Sequence, residues 1–113
     1  MMRLPGRRHR NSGRSYERRC PGHCAWVRGH SCSVPGCDRG PIECAHVRSC
    51  GDGGVGLKPS DRNTISLCHH HHAEQHRIGE SAFQTRYGVD LVELARMFDE
   101  RSPHRGRWMQ KQR

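Results

Sequence analysis

At 113 residues, with an apolar fraction of 32% and six aromatic side chains, the chain has room for one domain and little with which to build its core. A short chain of that composition needs a metal, disulfides or a partner to hold its fold. The net charge of +9 comes with no apolar run long enough for a membrane helix and no apolar segment behind Met1–Arg8, which argues against a membrane span and a secretory signal and predicts a cytoplasmic protein with reduced thiols.

The charge lies in the tails. Residues 1–19 carry seven Arg against Glu17, residues 101–113 carry four Arg and Lys111 with no acid, and residues 20–100 hold eight basic and ten acidic side chains. Such arms neutralise phosphates without reading sequence, although a solvated tail has the same composition. The expected organisation is a disordered basic arm over 1–19, a zinc-stapled domain over 20–100 and a basic tail over 101–113.

In chain order, a short helix is predicted from Pro21 to about Arg28, ending near Gly29. Cys32-Ser-Val-Pro-Gly-Cys37 reads as a tight knuckle. Ile42 to Arg48 alternates as a strand that puts Cys44 and His46 on one face. Four glycines between Gly51 and Pro59 mark a loop, and Thr64-Ile-Ser-Leu67 a second short strand. A helix follows from Cys68 to about Ile78, punctuated by Gly79. Phe83, Tyr87, Leu91, Leu94 and Phe98 then recur at helical spacing, on two helices broken at Gly88, and such a stripe is ordinarily core. The order describes a small α+β fold: a ββα core with a zinc knuckle at its edge and C-terminal packing helices.

Seven cysteines and ten histidines supply the ligands. The odd cysteine count and the His run beside Cys68 favour metal ligation over disulfides. Cys32, Cys37, Cys68 and His71 are assigned to a closed, four-coordinate structural Zn²⁺, with His69 or His70 as alternatives for the fourth place. Cys20, Cys24, Cys44 and Cys50 are read as small packing residues, although Cys20-Pro-Gly-His-Cys24 has the spacing of a partial site. His72 and His76, four apart, share one helix face and can share a second cation; a solvated polar face is the plain alternative.

The order His46, Asn63, His72-x-x-x-His76 resembles the HNH endonucleases, the ββα-metal or His-Me finger superfamily. Asn63-Thr-Ile-Ser-Leu-Cys68-His-His-His71-His72-Ala-Glu-Gln-His76 is similar to that family's second strand and helix. Cys44-Ala-His46-Val-Arg48, Gly53 to Asp61 and His23-Cys-Ala-Trp26-Val-Arg28 resemble a phage and prophage branch that includes RecA-dependent HNH nucleases. The likeness covers about residues 20–98. It implies a metal-dependent hydrolase of DNA phosphodiester bonds, with DNA and a recombinase filament as partners. His46 would be the general base, which an imidazole of ordinary pKa near ~6.5 can be at neutral pH. Asn63 would hold the His46 ring, or the hairpin that carries it, through an amide hydrogen bond. His72 and His76 would hold the cleavage cation (Mg²⁺, Mn²⁺ or Zn²⁺) on the scissile phosphate, and Arg48, Lys58 or Arg62 would clamp a phosphate oxygen. One departure stands out: where many members place an Asp or His ligand just before the base, this chain has Ala45. Asp61 is the candidate to replace that ligand, with Asp52 next. A non-catalytic zinc module that binds nucleic acid or protein explains the zinc and the arms equally well, but not the order of His46, Asn63, His72 and His76. A zinc protease does not fit, since Ala73 follows His72 where a Glu base would stand.

Overall fold

A computed structural model describes residues 18–51 and 59–105. The N-terminal arm before Arg18, most of the glycine loop with Asp52 and Lys58, and the tail after Arg105 lie outside the described residues. Among them, four α-helices surround a two-stranded antiparallel sheet.

Helix α1 spans Pro21–Arg28, with Pro21 in the first turn, where a missing N–H costs nothing, and the Gly29 amide closing its end on Trp26 and Val27. It buries His23 and Val27 against the sheet. Strand β1 (Ile42–His46) pairs with β2 (Thr64–Cys68) in the register Ile42↔Cys68 to His46↔Thr64. All five residues of β2 are buried. Ile65 and Leu67 enter the apolar core, while Thr64 and Ser66 donate to the carbonyls of Asp61 (2.8 Å) and Ser31 (2.6 Å), so the strand is covered on both faces without an orphaned hydroxyl. The Ser33 amide donates to the Ser66 carbonyl at 2.8 Å and docks the cysteine knuckle onto β2.

Helix α2 (His69–Ile78) starts directly on β2, with the Cys68 sulfur accepting the His71 amide at 3.4 Å. Gly79 at φ 89° and Gly88 at φ 64° make the corners to α3 (Glu80–Tyr87) and then α4 (Leu91–Arg101), backbone angles that a side chain would strain. Asp90 caps α4 by accepting the Glu93 amide at 3.0 Å. Phe83, Leu91 and Ala95 are fully buried with Val47, Ile65 and Leu67, and Tyr87, Leu94 and Phe98 pack around them. The helical stripe read from sequence is therefore core.

Three boundaries differ from expectation, each because a polar contact captures the chain. The first strand stops at His46 rather than Arg48, since the Arg48 and Ser49 amides turn into a 3-10 turn (Arg48–Cys50) to meet the Glu80 carboxylate, each at 2.8 Å. The folded region begins before residue 20: the Arg18 carbonyl accepts the Asp61 amide, and Arg19 donates to the Pro59 carbonyl at 2.9 Å. It runs past residue 100, because α4 extends to Arg101 and buried Ser102 sets its hydroxyl 2.8 Å from His23 Nδ1.

Candidate metal centre and catalytic cleft

The knuckle and the β2–α2 junction bring Cys32, Cys37, Cys68 and His71 together, with one ligand atom of each lying within 4.8 Å of all the others. Cys32 Sγ and Cys68 Sγ stand 3.4 Å and 3.3 Å from His71 Nδ1, and Cys37 Sγ 4.0 Å from Cys68 Sγ. A tetrahedron with Zn–S near ~2.3 Å and Zn–N near ~2.0 Å has edges of roughly 3.5–3.8 Å, so these four residues can hold a metal ion and suit zinc. Burial pushes the Cys32 thiol up to about 11, whereas a backbone hydrogen bond at Arg39 draws Cys37 down. An ion seated here must displace thiol protons, which makes its affinity weaken on acidification.

The structure distinguishes the three histidines left open as fourth ligand. His71 is buried in the cluster; His69 is exposed and pairs through Nδ1 with Glu43 at 2.9 Å. Exposed His70 comes near His71 and Glu74 in a second grouping. That grouping shares His71, and Glu74 already accepts hydrogen bonds from Tyr87 and Arg86.

On the other side of α2, a cleft of about 670 Å³ is lined by Cys44, His46, Arg48, His72, Gln75, His76 and Glu80, among others. His46, from the end of β1, and His72 and His76, from α2, thus open onto one space. The rings of His72 and His76 are 5.0 Å apart.

Each side of the cleft has a histidine fixed by a carboxylate. His46 Nε2 lies 2.7 Å from Asp61 Oδ1. Asp61 is buried and also takes the Cys20 amide on Oδ2 (2.7 Å) and Arg19 on Oδ1 (3.2 Å). Burial works to raise its carboxyl, but the hydrogen bonds from His46 and Cys20, with the charges of His46 and Arg19, prevail and bring it to about 2. An ionised carboxylate only accepts, so Nε2 carries a proton, and the neutral tautomer that fits this contact has its lone pair on Nδ1. His72 is held by its other nitrogen: Nδ1 lies 2.7 Å from Glu43 Oε1. Hydrogen bonds from His69 and His72 keep Glu43 ionised well below its ordinary range, so His72 Nε2 is left with the lone pair. A metal-binding imidazole is ordinarily oriented in this way, by a carboxylate on the far nitrogen.

These contacts bear on several expected roles. Asp61 was the expected ligand beside His72 and His76; both its oxygens are taken by His46, Arg19 and Cys20, and among the described residues it joins no ligand cluster with that pair. Asn63 was expected to hold the His46 ring or its hairpin. Asp61 holds Nε2 of that ring, and the Asn63 backbone carbonyl accepts the Val47 amide at 2.9 Å at the end of the hairpin. Ala45 is fully buried in the core, so the position before the base does not face the cleft. Among the phosphate-clamp candidates, Arg48 lines the cleft, Arg62 pairs with Asp99 at 3.1 Å, and Lys58 falls outside the described residues. Glu43 was missed; it sits three residues before His46, and only the register Ile42↔Cys68 brings it to the start of α2. Cys20 is buried, and Cys24, Cys44 and Cys50 are half-buried.

Fold and site together define a small α+β domain organised around a Cys/His cluster that can hold a metal ion. Residues 5–106 match the family described as Protein of unknown function (DUF968), and the chain belongs to that family. No curated protein and no solved structure matches it. No helix among the described residues is long and apolar enough to cross a membrane.

Proposed function

We propose that this protein is a metal-dependent HNH-type endonuclease that hydrolyses DNA phosphodiester bonds, with a structural zinc on Cys32, Cys37, Cys68 and His71. One observation carries the reading. A histidine with a carboxylate-fixed tautomer, His46, shares a cleft with a histidine pair, His72 and His76, of which His72 is itself fixed by Glu43. A structural zinc alone has no use for that arrangement. The likeness of His46, Asn63 and His72-x-x-x-His76 to the HNH motif, together with the basic arms, points the chemistry at DNA.

In this reading His46 Nδ1 takes a proton from the attacking water, and Asp61 stabilises the imidazolium that results. His72 and His76 would hold a divalent cation, which would supply the positive charge that a scissile phosphate and its leaving 3′ oxygen need. Arg48, which lines the cleft, would meet a non-bridging phosphate oxygen. Glu43 keeps His72 turned towards the cleft.

Plasmid nicking across Mg²⁺, Mn²⁺ and Zn²⁺, with and without a recombinase filament, tests the proposal. His46→Ala should lose ~10²–10⁴-fold in rate while zinc content and DNA binding stay close to wild type. His72→Ala should lose activity through the cation and recover in part at high metal concentration. A wild-type chain that binds DNA but cuts none under any of these conditions would leave the non-catalytic zinc module as the better reading.

A further inference from the structure

The chain around His46 and the helix bearing His72 and His76 are joined by a polar bridge on the cleft wall. Gln75, only 3% exposed, donates from Nε2 to the His46 carbonyl at 3.1 Å and to Glu80 Oε2 at 3.0 Å. The same Glu80 carboxylate accepts the Arg48 amide (2.8 Å), the Ser49 amide (2.8 Å) and the Ser49 hydroxyl (2.5 Å). One carboxylate and one amide thus connect β1's end and the 3-10 turn to α2 and α3.

The bridge brings a stability cost. Gln75 Oε1 is buried with no hydrogen-bond partner among the described residues. A buried acceptor loses its water and gains nothing in return; a methionine of similar length would avoid that loss but would give up both Nε2 bonds. The amide orientation is nonetheless unambiguous, because both groups facing Nε2 are acceptors. What Gln75 contributes is the placement of the His46 backbone.

We infer that Gln75 and Glu80 are positioning residues that set the separation between the His46 base and the His72/His76 pair. The inference rests on the endonuclease reading for its consequence, since a base and a cation ligand set must be spaced for one phosphate. Misplacement by about 1 Å can cost on the order of 10²-fold in rate. The roles are unequal: Gln75 touches the His46 carbonyl itself, whereas Glu80 acts through Gln75 and the backbone after the base.

The full chain, loaded with zinc, is compared as wild type, Gln75→Met and Glu80→Gln. Four quantities are measured: melting temperature, zinc content, the NMR signal of the His46 ring, and single-turnover cleavage beside DNA affinity. Gln75→Met should keep its zinc and stay folded, with a melting temperature lowered at most modestly by the two lost bonds, while the His46 ring signal moves. Its cleavage should fall about 10- to 100-fold with DNA affinity unchanged. Glu80→Gln retains one acceptor for the turn and should fall less. A His46 signal at its wild-type position in Gln75→Met, or a wild-type rate, overturns the inference. So does an unfolded Gln75→Met chain, which would make the amide a structural part. If wild type cuts no DNA but the ring signal moves in Gln75→Met, the bridge stands and the nuclease reading falls.

Discussion

At the residue scale the decisive side chain is Asp61, which directs the His46 ring, closes the N-terminus of α1 on the Cys20 amide and neutralises Arg19. Asp61→Asn separates charge from shape. Cys20 N–H can only donate, so the new carbonyl must face it, and the amide NH₂ is left facing His46 Nε2. That contact is favourable only if the ring proton moves to Nδ1, the atom needed as base. Cleavage should fall ~10²–10⁴-fold, with DNA binding measured alongside as the control. Acid stability follows with its own sign. The carboxyl sits at about 2 in the fold, below its ordinary value, so its stabilisation is complete above ~4 and is lost as pH falls towards 2. The loss is of order 2 kcal/mol, and acid unfolding of wild type beside Asp61→Asn should reveal it. His46, His72 and His76 were legible in the sequence because spacing and motif order mark them. Asp61's role and Glu43 were not. Both depend on which residues the hairpin and the Arg19–Cys20 segment bring together, and neither has a periodic signature.

At the scale of elements, periodicity, propensity and Pro/Gly punctuation together placed the four α-helices and both strands of the described residues, since these signals agree with burial there. They placed the strand end and the domain edges less well, because Glu80, Asp61 and Ser102 reach these segments from 32, 43 and 79 residues away, respectively, in contacts such as Arg48 N–Glu80, Asp61 N–Arg18 O and His23–Ser102. The fourth ligand was legible from the other side: the two-residue spacing from Cys68 pointed to His71 over His69 and His70, and the phase of the helix brings His71 to the cysteines. Hydrogen bonds from Ser33 and Ser66 and the burial of Val34 hold the knuckle on β2, and a zinc on its two cysteines would tie it to α2 as well. Cys32→Ser or Cys68→Ser should yield an unfolded or insoluble chain, because in small zinc modules the metal contributes on the order of 10 kcal/mol or more to folding. Metal analysis of a soluble, folded, zinc-free variant with wild-type circular dichroism would contradict this.

Across the whole molecule, the ends of the described chain are joined through His23, which is fully buried on α1 against Ser102 beyond α4. Burial lowers its pKa, with the charge of Asp99 opposing and that of His104 assisting. An imidazole kept neutral in the fold but free to protonate when unfolded gives full stability above ~6.5, and that stability declines as pH falls towards the lowered folded value. Melting temperature should therefore drop from pH 7 to pH 5. His23→Gln should flatten that slope relative to wild type, and an unaltered slope would assign it to other histidines.

His71 and His72 are neighbours on one helix, one facing the cysteines and the other the cleft. This adjacency imposes an order in time. If zinc on Cys32, Cys37, Cys68 and His71 fixes the start of α2, as proposed, the pairing of His72 and His76 should depend on zinc, and the cleft should be a product of maturation. Zinc returned to a metal-free chain should bind first, and cleavage should follow only after a lag set by folding, however much Mg²⁺ or Mn²⁺ is already present. Rapid-mixing records of zinc uptake and nicking that rise together, with no lag, would show that the two halves of the helix form independently.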